Sequence, residues 1–271
     1  MPGRFLFCAL VCGAFFLGNT AVCAGDEAPA KAAPVEFEDD ATRKLFADWQ
    51  AKLHHAGRAG IKNARCKLKG SVAYGQMEEP LEIKGKFSWD AAASEPAKLE
   101  WSPDKTTARL TRMGWDAARF AQSFDPNDFE RKLAGGKLSA HTEGDETIVS
   151  VEGPTAEGFR RFVFDKQGVL QLIYMEQPGK DEQTVKIEVR MAFKTEGEKL
   201  VTTGWASIAE VPFKGTVESL VRVENKKVKG QFLWSKVEEL VRVEGNPIAG
   251  FRVELYDWEL NGASTKDKAD E

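Results

Sequence analysis

Three histidines (His54, His55, His141) and four cysteines (Cys8, Cys12, Cys23, Cys66) are the side chains in this chain to which metal ligation or nucleophilic attack would first be assigned. His54 and His55 are adjacent in sequence. Neighbours on a helix diverge by about 100°, so the pair does not share a metal as an i, i+4 pair does, and both are read as surface residues. His141 lies in a polar stretch, and nothing in the spacing brings it to Cys66 as a catalytic dyad. There is no Gly-x-Ser-x-Gly nucleophile elbow. Gly135-Gly136 lacks the strand, loop and helix setting of a phosphate cradle and reads as a turn. Glu78-Glu79 and Glu238-Glu239 are adjacent acids that point opposite ways on a strand, which suits solvation better than a catalytic pair. A hydrolase built on carboxylates alone stays open, but the pattern favours binding over catalysis, with no metal and no cofactor.

The aromatic residues carry more information. The seven tryptophans are Trp49, Trp89, Trp101, Trp115, Trp205, Trp234 and Trp258, and most fall in strand-like segments with phenylalanines nearby. Each such ring buries roughly 150–250 Å². Two readings stand side by side: a large core, or an apolar cavity lined by rings between a curved sheet and its covering helix.

The elements that must position these rings follow from periodicity. Asp39 or Asp40 caps a helix from Ala41, and Leu45, Phe46, Trp49 and Leu53 form its apolar stripe. Gly57 and Gly60 end it, which predicts about 18 residues of helix. From Ile61 the period changes to two. Val185 to Phe193 is the clearest strand, with apolar odd positions and mostly charged even ones. Further strands are expected at 64–74, 81–89, 97–102, 107–113, 147–152, 159–165, 168–175, 199–207, 215–224, 228–234, 237–244 and 250–260, with a short helix at Asp128 to Leu133. Turn signals such as Asp165-Lys166-Gln167-Gly168 and Gly245-Asn246-Pro247 separate them. The expected fold is mainly β (α+β), a single strongly curved antiparallel sheet, or half-barrel. An N-terminal helix and a short second helix pack on its concave face.

One segment is duplicated. Val217-Glu218-Ser219-Leu220-Val221-Arg222-Val223-Glu224 recurs as Val237-Glu238-Glu239-Leu240-Val241-Arg242-Val243-Glu244. Two copies are too few for a solenoid, so this reads as two neighbouring hairpins with similar requirements, or as chance likeness of amphipathic strands.

The N-terminus has the form of an export signal. Arg4 precedes an apolar run from Phe5 to Val22, and Val22-Cys23-Ala24 supplies a cleavage site. A membrane anchor and lipid modification of Cys23 are the alternatives weighed. Cleavage after residue 24 places the protein in the periplasm and leaves Cys66 as its one thiol, without an internal disulfide. Residues 25–38 are expected to be a flexible spacer, 39–262 one domain and 263–271 a disordered tail. The net charge of −4 is spread along the chain, which argues against nucleic acid as partner. No second apolar run long enough to span a bilayer follows the signal.

Residues 48 to 126 resemble the start of the bacterial lipoprotein-carrier family, the LolA/LolB-like proteins. The resemblance lies in the helix ending at Leu53, then Tyr74-Gly75-Gln76, Gly85-Lys86-Phe87-Ser88-Trp89, Pro96-Ala97-Lys98-Leu99-Glu100-Trp101, and Trp115 leading to Phe124-Asp125-Pro126. The closing Tyr256 to Asn261 is similar to the family's last strand. There is an insertion after Trp89, and Met113-Gly114 stands where the family has Asp-Gly. The resemblance implies a half-open curved sheet that holds acyl chains or lipidated segments, with Phe46, Trp49, Phe87, Trp89, Trp101 and Trp115 as candidate lining and no catalysis. No residue is matched to the family's cavity arginine. The alternative is an envelope interaction module that uses its sheet edges, with the duplicated strands as the best candidates.

Overall fold

The computed structural model describes residues 34–75, 79–103, 110–111, 114–153, 155, 158–179, 183–212 and 215–264. The expected signal, most of the spacer, the tail beyond 264 and most of the strand expected at 107–113 lie outside these residues.

In chain order the elements are β1 (Glu36–Phe37), α1 (Asp40–Lys52), β2 (Asn63–Tyr74), β3 (Leu81–Asp90), β4 (Ala97–Ser102), α2 (Ala117–Ala121), α3 (Asp128–Leu133), β5 (Lys137–Glu143), β6 (Glu146–Glu152), β7 (Phe159–Phe164), β8 (Leu170–Pro178), β9 (Thr184–Glu196), β10 (Lys199–Val211), β11 (Gly215–Val228), β12 (Gln231–Val243), β13 (Asn246–Leu260) and β14 (Ala263–Ser264). Strands β5 to β13 form one antiparallel meander. β2, β3 and β4 continue the sheet beyond β13, and β1 adds to its far end as a parallel partner of β5. The sheet is curved and unclosed, with β1 and β4 ending the strand order, and β14 pairs with β13 off that path. The half-barrel expected from the alternation is therefore the architecture found.

Alternation decides which side of each strand is buried. On β9, Val185, Ile187 and Val189 are buried while Lys186 and Arg190 are exposed. The buried set from the sheet joins Phe46 and Trp49 of α1 and Phe120 of α2 in one core on the inner face. Gly204 on β10 shows how tightly strands approach at an irregularity: it has φ +153°, and a Cβ there would lie 2.2 Å from the Val221 carbonyl oxygen.

Four expectations are corrected. First, α1 is 13 residues long and ends at Leu53, before the glycines that were expected to end it. Leu53 turns extended and bridges to Leu200, and the His54 N–H donates to the Leu200 carbonyl at 2.8 Å, so strand-like pairing outcompetes a further helical turn. Second, His54 and His55 are consequently not surface helix residues. His54 Nε2 accepts from the Phe232 N–H at 3.1 Å, and His55 Nε2 sits 3.0 Å from the Gln122 carbonyl oxygen. Burial holds both rings below the usual histidine range. Third, 231–234 and 237–243 belong to one strand, β12, with the irregularity between them absorbed at Ser235, while Val228 ends β11 and 229–230 turn between the two. Fourth, the duplicated segments do not lie at sheet edges or in separate hairpins. They are the facing arms of the β11–β12 hairpin, each with a further neighbour on its other side. A strand not anticipated from the sequence is also present: residues 137–143, which include His141, form β5.

Candidate functional site: the aromatic inner face

All six candidate rings lie on the inner face, and none is more than 5% exposed. The structure divides them into two groups. The first forms where α1 crosses β7. Asp39 caps that helix by accepting from the Thr42 N–H at 2.6 Å, which fixes the phase that points Phe46 and Trp49 inward. The Phe46 ring lies 5.5 Å from Phe162 and 5.4 Å from Phe164, and Trp49 lies 5.0 Å from Phe129 of α3.

The second group is larger and gathers Phe87, Trp89, Trp101 and Trp115 around α2. Trp115 stacks on Phe251 of β13 at 4.2 Å with an interplanar angle of 19°. Trp101 meets Phe251 edge-on at 6.1 Å, Phe87 lies 5.7 Å from Phe120, and Trp89 stacks on Phe124 at 6.5 Å. The segment Trp115–Phe124 thus roofs an aromatic floor supplied by β3, β4 and β13. The Trp101 indole N–H ties the floor to the roof by donating to the Trp115 carbonyl at 3.2 Å.

Inside this second group lies a buried polar constellation. Glu239 of β12 points inward, 4% exposed, and accepts from the Trp115 indole N–H and from the Ser219 hydroxyl, each at 2.6 Å. Arg119 of α2, 1% exposed, brings Nη2 to 3.8 Å from Glu239 Oε1. Its guanidinium lies 3.8 Å from the centre of the Trp115 ring and 5.1 Å from that of Trp205. Asp116 caps α2 by accepting from the Arg119 N–H at 3.1 Å, and burial raises its carboxyl above the ordinary range. An arginine between two indole faces, answered by a carboxylate, is the arrangement in which cation–π attraction and ion pairing gain most from exclusion of water.

The reading of Glu238-Glu239 as solvated acids is corrected for Glu239, which is buried, and no motif singles out Arg119. A signal for Glu239 does exist in the strand phase, because it falls between Val237 and Val241 on the side that alternation assigns to the core. Arg119 sits on a five-residue helix, too short for any periodicity. The indole N–H groups of Trp49 and Trp89 are also buried on the inner face and have no partner among the described residues.

The remaining chemistry-bearing residues lie elsewhere. Cys66 is a free, buried thiol on β2 whose surroundings push its pKa up, which makes it a small core residue. His141 is exposed on β5. No group of three or more His, Cys, Asp or Glu that could hold a metal occurs among the described residues. No described helix is long and apolar enough to cross a membrane. A half-open depression of about 480 Å³ lies on the outer side of β2, β3 and β4. Arg65, Lys67, Lys86, Lys98, Glu100 and Asp257 are among its lining, so charged side chains surround it.

No family model and no curated protein matches the chain. Among solved structures it is similar to a DUF1329 family protein from Desulfovibrio piger, with 9% identity over 82% of this chain and 92% of the other and a TM-score of 0.36. It is also similar to a LolA superfamily protein from Nitrosomonas europaea, with 7% identity over 81% of this chain and 93% of the other and a TM-score of 0.33.

Proposed function

We propose that this protein is a non-catalytic carrier that holds an acyl chain or a lipidated segment against its aromatic inner face, in the periplasm reached through the N-terminal signal. The observation that carries the reading is the roof. Among the described residues, the aromatic floor of β3, β4 and β13 is covered by the five-residue helix α2 and its flanks. A buried ion pair and one indole hydrogen bond to Glu239 anchor that cover to the strands. Withdrawing Trp115–Phe124 opens a trough floored by Phe87, Trp89, Trp101 and Phe251, an apolar site with few polar groups, which is the composition of a lipid pocket. Phe46 and Trp49 extend the same inner face beneath α1. Each buried methylene of a guest contributes about 0.8 kcal/mol, so one acyl chain offsets the loss of several ring contacts.

The unused indole donors of Trp49 and Trp89 suit the carbonyl oxygens of an ester or amide-linked acyl group. The test is gentle purification of the mature chain, organic extraction and mass spectrometry, followed by titration of the stripped protein with an environment-sensitive dye and a fatty acyl competitor. Co-purified lipid, or dye binding reversed by the competitor, supports the carrier. A lipid-free protein that binds neither dye nor acyl competitor overturns it.

A further inference from the structure

The duplicated segments acquire a meaning once their register is known. Leu220 of β11 faces Leu240 of β12, and around that pair Glu218 faces Arg242 and Arg222 faces Glu238. The two copies are therefore related by a local two-fold axis perpendicular to the sheet. Residues 218, 220 and 222 alternate with the buried Val217, Ser219, Val221 and Val223, so they point to the outer face. That face carries the two large apolar side chains most exposed in the structure, Leu220 and Ile208, each 41% exposed. Three of the four charges around the leucines, Glu218, Arg222 and Arg242, have no ion-pair partner among the described residues.

From this pattern we infer that the outer face of the β11–β12 hairpin is a self-association surface whose partner is a second copy of this chain. The four charges form a square with like signs on the diagonals and an apolar bar across its middle. Turn a second copy face down about an axis that runs along the strands between β11 and β12. Its Arg242 then lies over Glu218, its Glu218 over Arg242, its Glu238 over Arg222 and its Leu240 over Leu220. Ile208, beside Glu218 on β10, meets the exposed Pro247 beside Arg242 on β13. Every contact made by one copy is made again by the other, as an isologous two-fold interface requires. A turn about the in-plane axis across the strands also opposes unlike charges but sets Ile208 over Gly204, so the apolar contact of Ile208 with Pro247 selects the alignment.

The patch spans four strands, β10 to β13, by about five residues, roughly 300 Å² per copy. Twice that lies below the area typical of stable complexes, and outward curvature limits it further, so the association is weak and reversible.

Sedimentation equilibrium of the mature chain over a range reaching about 1 mM tests this, because weak interfaces dissociate near that range. The expected result is a monomer–dimer equilibrium that Leu220→Glu weakens at least about tenfold, a loss of at least about 1.4 kcal/mol. The decisive arm is mixing. Glu218→Arg alone and Arg242→Glu alone should each be monomeric, and the two together should form a one-to-one heterodimer, since each supplies the charge that the other's face lacks. Arg222→Glu with Glu238→Arg is the second pair, used if a member of the first fails to fold. A wild-type chain that stays monomeric throughout overturns the inference. So does a dimer indifferent to Leu220→Glu, or failure of the mixed folded variants to associate.

Discussion

Arg119 and Glu239, from a five-residue helix and a central strand, meet at 3.8 Å in a site from which water is almost wholly excluded, their side chains 2% and 1% exposed. Bringing both charges out of water is expensive, and an apolar pair of similar volume would often be at least as stable.

That asymmetry gives the first prediction. Glu239→Gln leaves a buried guanidinium without its counter-charge and should destabilise the protein by about 3–5 kcal/mol in urea denaturation. Arg119→Met with Glu239→Gln removes the guanidinium while an amide oxygen remains to accept from Trp115 and Ser219, and should lie far closer to wild type. If the double variant were as unstable as the single, the pair would not be the source of the loss.

The histidine pair predicts a pH dependence. Burial holds His54 and His55 below their unfolded value, so in mild acid the unfolded chain binds protons that the folded chain does not. Their contribution is complete above about pH 6.5 and is lost as pH falls toward the folded values. The melting temperature should therefore drop between about pH 7.5 and 5.5, and more gently in His54→Gln. Asp116, whose carboxyl burial raises, acts in the opposite sense, favouring the folded state toward acid, and over a lower window. Equal slopes for wild type and variant would count against the histidine account.

Cys66 provides a probe of opening. Its thiol is buried and its ionisation suppressed, so a thiol-reactive dye should label the native protein only as fast as β2 opens, and label it promptly in denaturant. Prompt native labelling would show that the core around β2 is accessible.

Gly70 marks the closest approach of two strands. A Cβ there would stand 1.9 Å from the Arg252 carbonyl oxygen and 2.8 Å from the Val253 Cα. Gly70→Ala is expected to cost about 1–3 kcal/mol by forcing β2 and β13 apart. Thermal denaturation beside Gly60→Ala, where a Cβ meets nothing within 4 Å but φ is +88°, separates crowding from backbone strain.

Much of the sheet is legible in sequence because one face of each strand is buried and the other is wet. Val185 to Phe193 alternates strongly enough to place β9 within three residues at each end, and α3 falls where Asp128 to Leu133 suggests. β5 escapes because only Leu138 among its residues is buried, and one apolar position makes no alternation. The end of α1 escapes because a contact with Leu200 decides it, while the local glycines point further on. Of the site, the aromatic residues are legible by type. Their division into two groups is not, since it depends on where α1 and α2 land. The Arg119–Glu239 pair joins residues so far apart in sequence that only the fold brings them together.

The union of β2 with β13 sets Val72 beside Phe251, 251 − 72 = 179 residues further along the chain. Until the last long strand has emerged, β2, β3 and β4 pair only with one another and have no strand of the meander to join. Such distant pairings form slowly. The sheet is completed at the seam made by its last long strand, so its full rigidity arrives only with β13.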